Sequence, residues 1–204
     1  ALKKDNLKAR LAFSTIGQLS YIVLGIAILS PLSTAGALYH LVAHAFMKIT
    51  LFMCAGAIFV TTHKKDISEM VGLGRRMPVT MSAFTIASLG IAGFPFFVGF
   101  VSKANIIMGA LKTGQLLFGA TLIVSAVLAL TYLMPVVLIT FKREPVNPEF
   151  NTYGEASKTM LVPLLITATV SVILGVAPNF GLHLLDLAMS TGEAVFAHVG
   201  GVIC

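Results

Sequence analysis

The 204-residue chain is 57% hydrophobic, and only 11% of its residues are charged. Soluble domains carry charges on about 25% of residues, so this composition and a mean hydropathy of +0.94 exclude a soluble enzyme or a nucleic-acid-binding module. The net charge of +6 is instead interpreted as a signal of membrane orientation. Two cysteines, Cys54 and Cys204, are too few for a disulfide framework or a zinc site.

Apolar segments long enough to cross a bilayer follow one another along the chain. They predict an all-α integral membrane protein that forms a single membrane domain over residues 1–204. About five transmembrane helices are expected, near residues 11–29, 34–60, 78–111, 116–141 and 160–178. A weakly amphipathic tail, 179–204, follows with no assigned place. Because the chain opens ALKKDNLKAR without a Met, we expect it to be part of a longer protein.

The third segment, 78–111, is interrupted by the run GFPFFVGF. A straight helix of that length would measure about 51 Å, whereas the hydrocarbon core is about 30 Å thick. Gly93, Pro95 and Gly99 therefore predict a discontinuous helix that is broken near residues 93–99. Broken helices at membrane depth are tolerated where they line a cavity, and they mark ion sites in transporters.

The distribution of Lys and Arg favours one crossing by this segment over two. With one crossing, the N-terminus, residues 61–77 and residues 142–159 share a side with eleven Lys and Arg, and the opposite side keeps only Lys112. Two crossings would divide these charges nine to three. We predict a bacterial or archaeal cell membrane, with the N-terminus of the chain in the cytoplasm and its C-terminus outside. Lipid head-group binding is an alternative role for these cations.

The second segment carries three ionisable residues in helical register. His40, His44 and Lys48 are spaced four residues apart, so they form one ladder about 12 Å long. An unpaired lysine at this depth costs about 3 kcal/mol, imidazole titrates near neutrality, and burial disfavours a charged lysine. This pattern predicts a proton relay. The alternatives are hydrogen bonding to neighbouring helices, or metal or haem ligation. No other segment supplies a facing histidine, so we expect no metal and no cofactor.

Further polar residues accompany this ladder. Lys103 lies four residues after Gly99 and is predicted to titrate beside the break, with snorkelling to an interface as the alternative. One face of the first helix carries Ser14, Gln18 and Tyr21, and one face of the fourth carries Thr121, Ser125 and Tyr132. Either set can hold water or simply pack helices, and Gln18 is the better functional candidate.

Longer motifs in the chain resemble a known family. The runs DNLKARLAFSTIGQLSYI, HLVAHAFMKITLFMCAGAI and ISEMVGLGRRMP, followed by GFPFFVGFVSK, are similar to the antiporter-like membrane subunits of respiratory complex I, membrane-bound hydrogenases and Mrp-type cation/proton antiporters. The similarity covers most of residues 5–145. It implies the C-terminal part of a subunit that is built from two inverted five-helix halves.

The resemblance also implies roles for individual residues. His40, His44 and Lys48 match the motif H-x3-H-A-x2-K of the family's central hydrophilic axis, and Lys103 matches the titratable residue on the second broken helix. Lys103 and the connector DISEMVGLGRRMP look most like the D-type component of the Mrp group. The family's essential Glu and Lys of the first half lie on helices that this sequence does not contain, so we expect an incomplete path in this chain alone.

These matches imply a proton-translocating subunit of a multisubunit antiporter that exchanges Na⁺ or K⁺ for protons. Its expected partners are other membrane subunits and the lipid bilayer. The alternative is a proton-pumping membrane subunit of a complex I-like NADH:quinone oxidoreductase or a membrane-bound hydrogenase. The sequence has no cysteine cluster or nucleotide fingerprint, so in that case redox chemistry would belong to partner subunits. A third possibility is a scaffold, in which neutralising Lys48 changes assembly and never transport.

Overall fold

The computed structural model describes residues 1–142 and 147–200, and every regular element in these ranges is helical. Cys204 and part of the 142–159 loop lie outside the described residues. The described ranges contain eight α-helices: α1 Leu7–Ala27, α2 Pro31–Thr62, α3 Leu73–Arg76, α4 Pro78–Ala92, α5 Val98–Lys112, α6 Leu116–Thr140, α7 Lys158–Val176 and α8 Leu184–Gly200. Helices α1, α2, α6 and α7 are long and apolar enough to span a membrane, and α4 is a shorter apolar helix. The chain is an all-α integral membrane protein.

Local capping chemistry shifts the helix ends from their expected positions. Helix α1 begins at Leu7 rather than near residue 11 because the Asn6 side chain accepts a hydrogen bond from the Ala9 N–H at 3.1 Å. Helix α2 begins at Pro31, which needs no N–H donor in a first turn. It ends where His63 adopts a left-handed conformation with φ 56°.

The third apolar segment is discontinuous, as expected. Helix α4 ends at Ala92, where the capping residue Gly93 has φ +86°, and α5 starts at Val98. Gly99 was expected within the break, but it lies in the first turn of α5. Its hydrogen side chain is needed for another reason, because a Cβ there would overlap the backbone oxygen of Gly90 in α4. Met47, near the middle of α2, is in contact range of both glycines, so the break lies at mid-height of α2.

Helix α2 is the centre of the bundle and packs against α1, α4, α5, α7 and α8. Small residues permit these close approaches. A Cβ on Gly36 would lie 2.8 Å from the backbone N of Ile106, and one on Gly109 would lie 2.6 Å from Ser33. Helix α5 therefore runs antiparallel to the first half of α2. This packing buries the part of α2 that carries the histidines.

The described part of the C-terminal tail, residues 179–200, has a definite place that the sequence did not predict. Residues 184–200 form α8, which lies against the first third of α2, where a Cβ on Gly192 would lie 2.5 Å from the Pro31 oxygen. Tyr39 of α2 donates a hydrogen bond at 2.8 Å to the Leu174 oxygen near the end of α7. Helices α7 and α8 together cover one side of α2.

The loop before α7 caps the N-terminus of α4. The Glu155 carboxylate accepts hydrogen bonds from the backbone N–H and the hydroxyl of Thr80, each at 2.9 Å. Thr80 lies in the first turn of α4, where N–H groups have no acceptor within the helix. The Gly154 N–H also donates to the Arg76 oxygen at 3.0 Å. This loop therefore fixes the start of the broken span.

Replacing Glu155 with alanine is expected to lower the free energy of unfolding by roughly 1 to 2 kcal/mol, because it removes a charged cap. Chemical denaturation of the full-length subunit in mild detergent measures the effect. Glu149→Ala is the matched control, since Glu149 uses its backbone oxygen to accept from Arg76. Equal losses in the two variants would contradict a capping role.

Candidate functional site

The three ionisable residues of α2 lie on its buried face. His40, His44 and Lys48 are 0%, 7% and 5% exposed. The two imidazole centroids lie 6.2 Å apart and the ring planes differ by 20°. The spacing in the sequence therefore places the rings in a near-parallel stack along the helix.

His40 is oriented by a hydroxyl on α5. Its Nδ1 lies 2.7 Å from Ser102 Oγ, and Ser102 donates its own proton to the Gly99 oxygen at 3.0 Å. Ser102 must then accept from Nδ1–H, which leaves Nε2 of the neutral ring as a proton acceptor. The Nε2 atoms of His40 and His44 are both buried and have no hydrogen-bond partner among the described residues. His40 thus retains a basic nitrogen inside the bundle.

Lys103 lies at the helix break and bridges its two halves. The side chain is 4% exposed, and its Nζ donates to the Ile91 oxygen in the last turn of α4 at 2.5 Å. A carbonyl at a helix C-terminus has no donor within the helix and carries a partial negative charge. Lys103, on α5, therefore donates a hydrogen bond to a carbonyl in the last turn of α4 that has no donor within its own helix. Its burial argues against snorkelling.

The Tyr21 ring lies between two titratable side chains. Its centroid is 5.7 Å from that of His40, with the planes at 69°, and 4.9 Å from the Lys103 ammonium. An aromatic face attracts a cation at this distance. The Tyr21 hydroxyl donates to Ser125 Oγ of α6 at 2.6 Å. Tyr21 therefore joins α1 and α6 to the residues at the break.

Lys48 reaches α1 instead of the break. Its Nζ donates to the Leu11 oxygen at 3.0 Å. The ladder of α2 therefore has Lys48 held by α1 at one end and His40 held by Ser102 of α5 at the other. His44 lies between them in sequence and on the same buried face.

The polar faces predicted on α1 and α6 meet each other. Ser14 Oγ lies 2.8 Å from the Tyr132 hydroxyl, in addition to the Tyr21 and Ser125 pair. These groups and Gln18 line a cavity of about 240 Å³ between the two helices. The Gln18 Oε1 atom is buried, with no partner in the described part of the chain. Thr121 is exposed and bonds to its own helix, so it does not belong to this group.

Some contacts of the site carry no signal in the sequence. The acceptors for Lys48 and Lys103 are the backbone oxygens of Leu11 and Ile91, and every residue has such an oxygen. Ser102 was also missed, although it immediately precedes Lys103. Across residues 1–142 and 147–200, no three His, Cys, Asp or Glu side chains converge on a point where a metal ion could bind.

Comparisons with known proteins agree with the resemblance found in the sequence. The NADH-quinone oxidoreductase subunit N of Desulforudis audaxviator is 35% identical over 186 residues, which cover 86% of this chain and 37% of that protein. Subunit L of the Mycobacterium tuberculosis NADH-quinone oxidoreductase is 40% identical over 177 residues, which cover 84% of this chain and 28% of that protein. The chain thus spans less than half the length of these relatives.

A solved structure has the same fold. A chain of the Mrp complex from Dietzia sp. matches with a TM-score of 0.86 and 22% identity, over 100% of this chain and 46% of that one. The family described as NADH:quinone oxidoreductase/Mrp antiporter, transmembrane, matches residues 1–129, which include His40, His44, Lys48 and Lys103. The chain belongs to this NADH:quinone oxidoreductase/Mrp antiporter family of transmembrane proteins.

Proposed function

We propose that this chain is a portion of a proton-translocating membrane subunit, and that protons move along Lys48, His44, His40 and Lys103. The observation that carries the proposal is the burial of all four side chains, each no more than 7% exposed, on helices that meet at the break. Ionisable groups inside a membrane are costly and mark ion or proton pathways. The relay and the helix break together form the middle of the path.

The tautomer of His40 supports uptake of a proton at Nε2. A proton that binds Nε2 makes the ring cationic, and it leaves again from Nε2, because Nδ1–H stays hydrogen-bonded to Ser102. Lys103 is the next residue along α5. The Tyr21 face and the carbonyl end of α4 stabilise the ammonium when Lys103 holds the proton. The break therefore favours a charge that an intact apolar helix would exclude.

The cavity between α1 and α6 is assigned as the water supply of this relay. Its polar lining is Gln18 and four hydroxyls, set among apolar side chains such as Phe13 and Leu128, and it reaches Tyr21, which contacts both His40 and Lys103. A buried oxygen with no protein partner is typical of a position that binds water. Gln18→Leu should therefore slow proton translocation in liposomes, whereas Thr121→Val on the exposed face of α6 should not. Equal rates of proton translocation in the two variants would show that this cavity does not supply water to the relay.

Lys48→Met tests the relay directly. The full-length subunit in its native complex is reconstituted in liposomes, and the pH change driven by a Na⁺ or K⁺ gradient, or by substrate oxidation, is recorded. Removing the titratable group is expected to reduce the rate about 100-fold or more. Assembly is checked by size-exclusion chromatography. A variant that fails to assemble, or that assembles and transports normally, supports the scaffold hypothesis instead.

Two assemblies can use this subunit. The sequence motifs predict a multisubunit monovalent cation/proton antiporter, and a chain of the Mrp complex shares the fold. The second candidate is a redox-driven pump, which is favoured by the names of the relatives at 35% and 40% identity. In either case, other membrane subunits are its partners. Flavin and iron–sulfur absorbance in the purified complex would identify the redox assembly, and a colourless complex would identify the antiporter.

The proposed orientation places the N-terminus of the chain and residues 61–77 in the cytoplasm, with the C-terminus outside. The basis is the excess of Lys and Arg in these segments. The membrane is assigned as a bacterial or archaeal cell membrane. Reporter fusions between residues 61 and 77 are expected to be active only as cytoplasmic reporters, and the opposite result would reverse the topology.

A further inference from the structure

A basic cavity lies where α1 begins and α2 ends, away from the proton relay. Its volume is about 310 Å³, and its lining includes Lys8, Lys64 and Lys65 together with Phe59 and Ala55 of α2. The Leu7 N–H donates to the Lys65 oxygen at 3.0 Å, so the backbones that carry the lysines are joined directly. The cavity is therefore a fixed feature of this end of the bundle.

Two lysines of the cavity share one aromatic ring. The ammonium groups of Lys8 and Lys65, here called the ring lysines, lie 5.0 and 5.2 Å from the centroid of Phe59. Each gains a cation–π attraction from the ring, but two like charges around one ring also repel each other. An anion bound between them would relieve this repulsion.

Acidic side chains near the cavity do not neutralise the ring lysines. Lys64 pairs with Glu69 at 3.7 Å. Asp5 and Asp66 accept hydrogen bonds from Ser68 and from the side chain of Asn6. Within the described residues, no carboxylate lies within 4.0 Å of either ring lysine. The cavity thus presents two uncompensated positive charges.

The surroundings of the cavity indicate where the anion comes from. Leu41, Ile49 and Phe52 are exposed and lie on the same face of α2 as Phe59. An anion held at the ring lysines can therefore extend apolar chains along this exposed apolar side of α2. We infer that the cavity binds the phosphate of an anionic phospholipid between Lys8 and Lys65, with its acyl chains along this face.

Binding of short-chain phosphatidylglycerol to the full-length subunit in its native complex tests this site. Native mass spectrometry of the detergent-solubilised complex gives the dissociation constant. Lys8→Gln combined with Lys65→Gln is expected to weaken binding roughly 30-fold, given the usual contribution of each lysine near an anionic surface. The matched control, Lys3→Gln with Lys4→Gln, removes the same charge from the same end outside the cavity and should change little.

Three further binding measurements distinguish a specific lipid site from loss of folding, from binding of any lipid and from binding of free phosphate. Lys8→Arg with Lys65→Arg keeps the charges and should retain binding, which separates loss of the site from loss of folding. Short-chain phosphatidylcholine should bind far more weakly, and inorganic phosphate should compete poorly because it lacks acyl chains. The inference is overturned if phosphatidylcholine binds equally well, if millimolar phosphate displaces the lipid, or if the control pair weakens binding as much as the cavity pair.

Discussion

Replacing Lys103 with methionine is expected to reduce proton translocation at least about 100-fold while the complex still assembles. Methionine retains the length and apolar stem of lysine but cannot hold a proton. The ammonium also donates to the Ile91 oxygen and lies over the Tyr21 ring, and methionine can replace neither contact. The liposome assay with the full-length subunit in its native complex measures the rate.

Lys112→Met is the matched control for this prediction. Lys112 lies on the same helix, α5, but it is exposed at the far end. Its replacement removes the same charge and should leave the rate near that of the wild type. A Lys103→Met complex that assembles and retains most of its activity would show that proton transfer bypasses the break.

Replacing Gly99 with alanine is expected to destabilise the subunit by roughly 3 kcal/mol. The added Cβ would overlap the Gly90 oxygen, and both groups belong to backbone that no rotamer change can move. Relief requires α4 and α5 to separate, which also displaces Ser102 from His40. Chemical denaturation measures the loss of stability, and the liposome assay should show loss of transport in the fraction that folds.

Gly56→Ala provides a stringent comparison because both changes add one methyl group to a helical glycine. A Cβ on Gly56 meets nothing within 4 Å. Alanine has the higher helix propensity by about 1 kcal/mol, so this variant should be as stable as the wild type or more stable. If Gly99→Ala were equally well tolerated, close contact between the two half-helices would not be a requirement of the fold.

Much of the fold follows from apolar length and from residues that cannot continue a helix. The spans that became α1, α2, α6 and α7 are visible as long hydrophobic runs, and Gly93 ends α4 as expected. The position of α8 does not follow in the same way. Its packing depends on Gly192 meeting Pro31, which is distant in sequence, and local periodicity contains no information about such a partner.

The site was predictable where it depends on spacing within one helix. The four-residue intervals of His40, His44 and Lys48 place all three on one buried face. Gly99 was predicted to break the helix, whereas in the structure it allows α4 and α5 to approach closely. Helix breaks and close helix contacts both favour glycine, so the residue type alone does not distinguish them. The partners that orient the lysines are backbone oxygens, and only the folded arrangement of helices determines which of them lie within reach.

The hydrogen bond between Lys103 and Ile91 has a consequence for the kinetics of each transfer. A neutral amine still has N–H groups to donate, so this bond can persist whether or not Lys103 holds the additional proton. The two half-helices then need not separate and rejoin in every cycle. The polar groups around the site are already oriented for the charge, so its arrival and departure require little reorganisation energy.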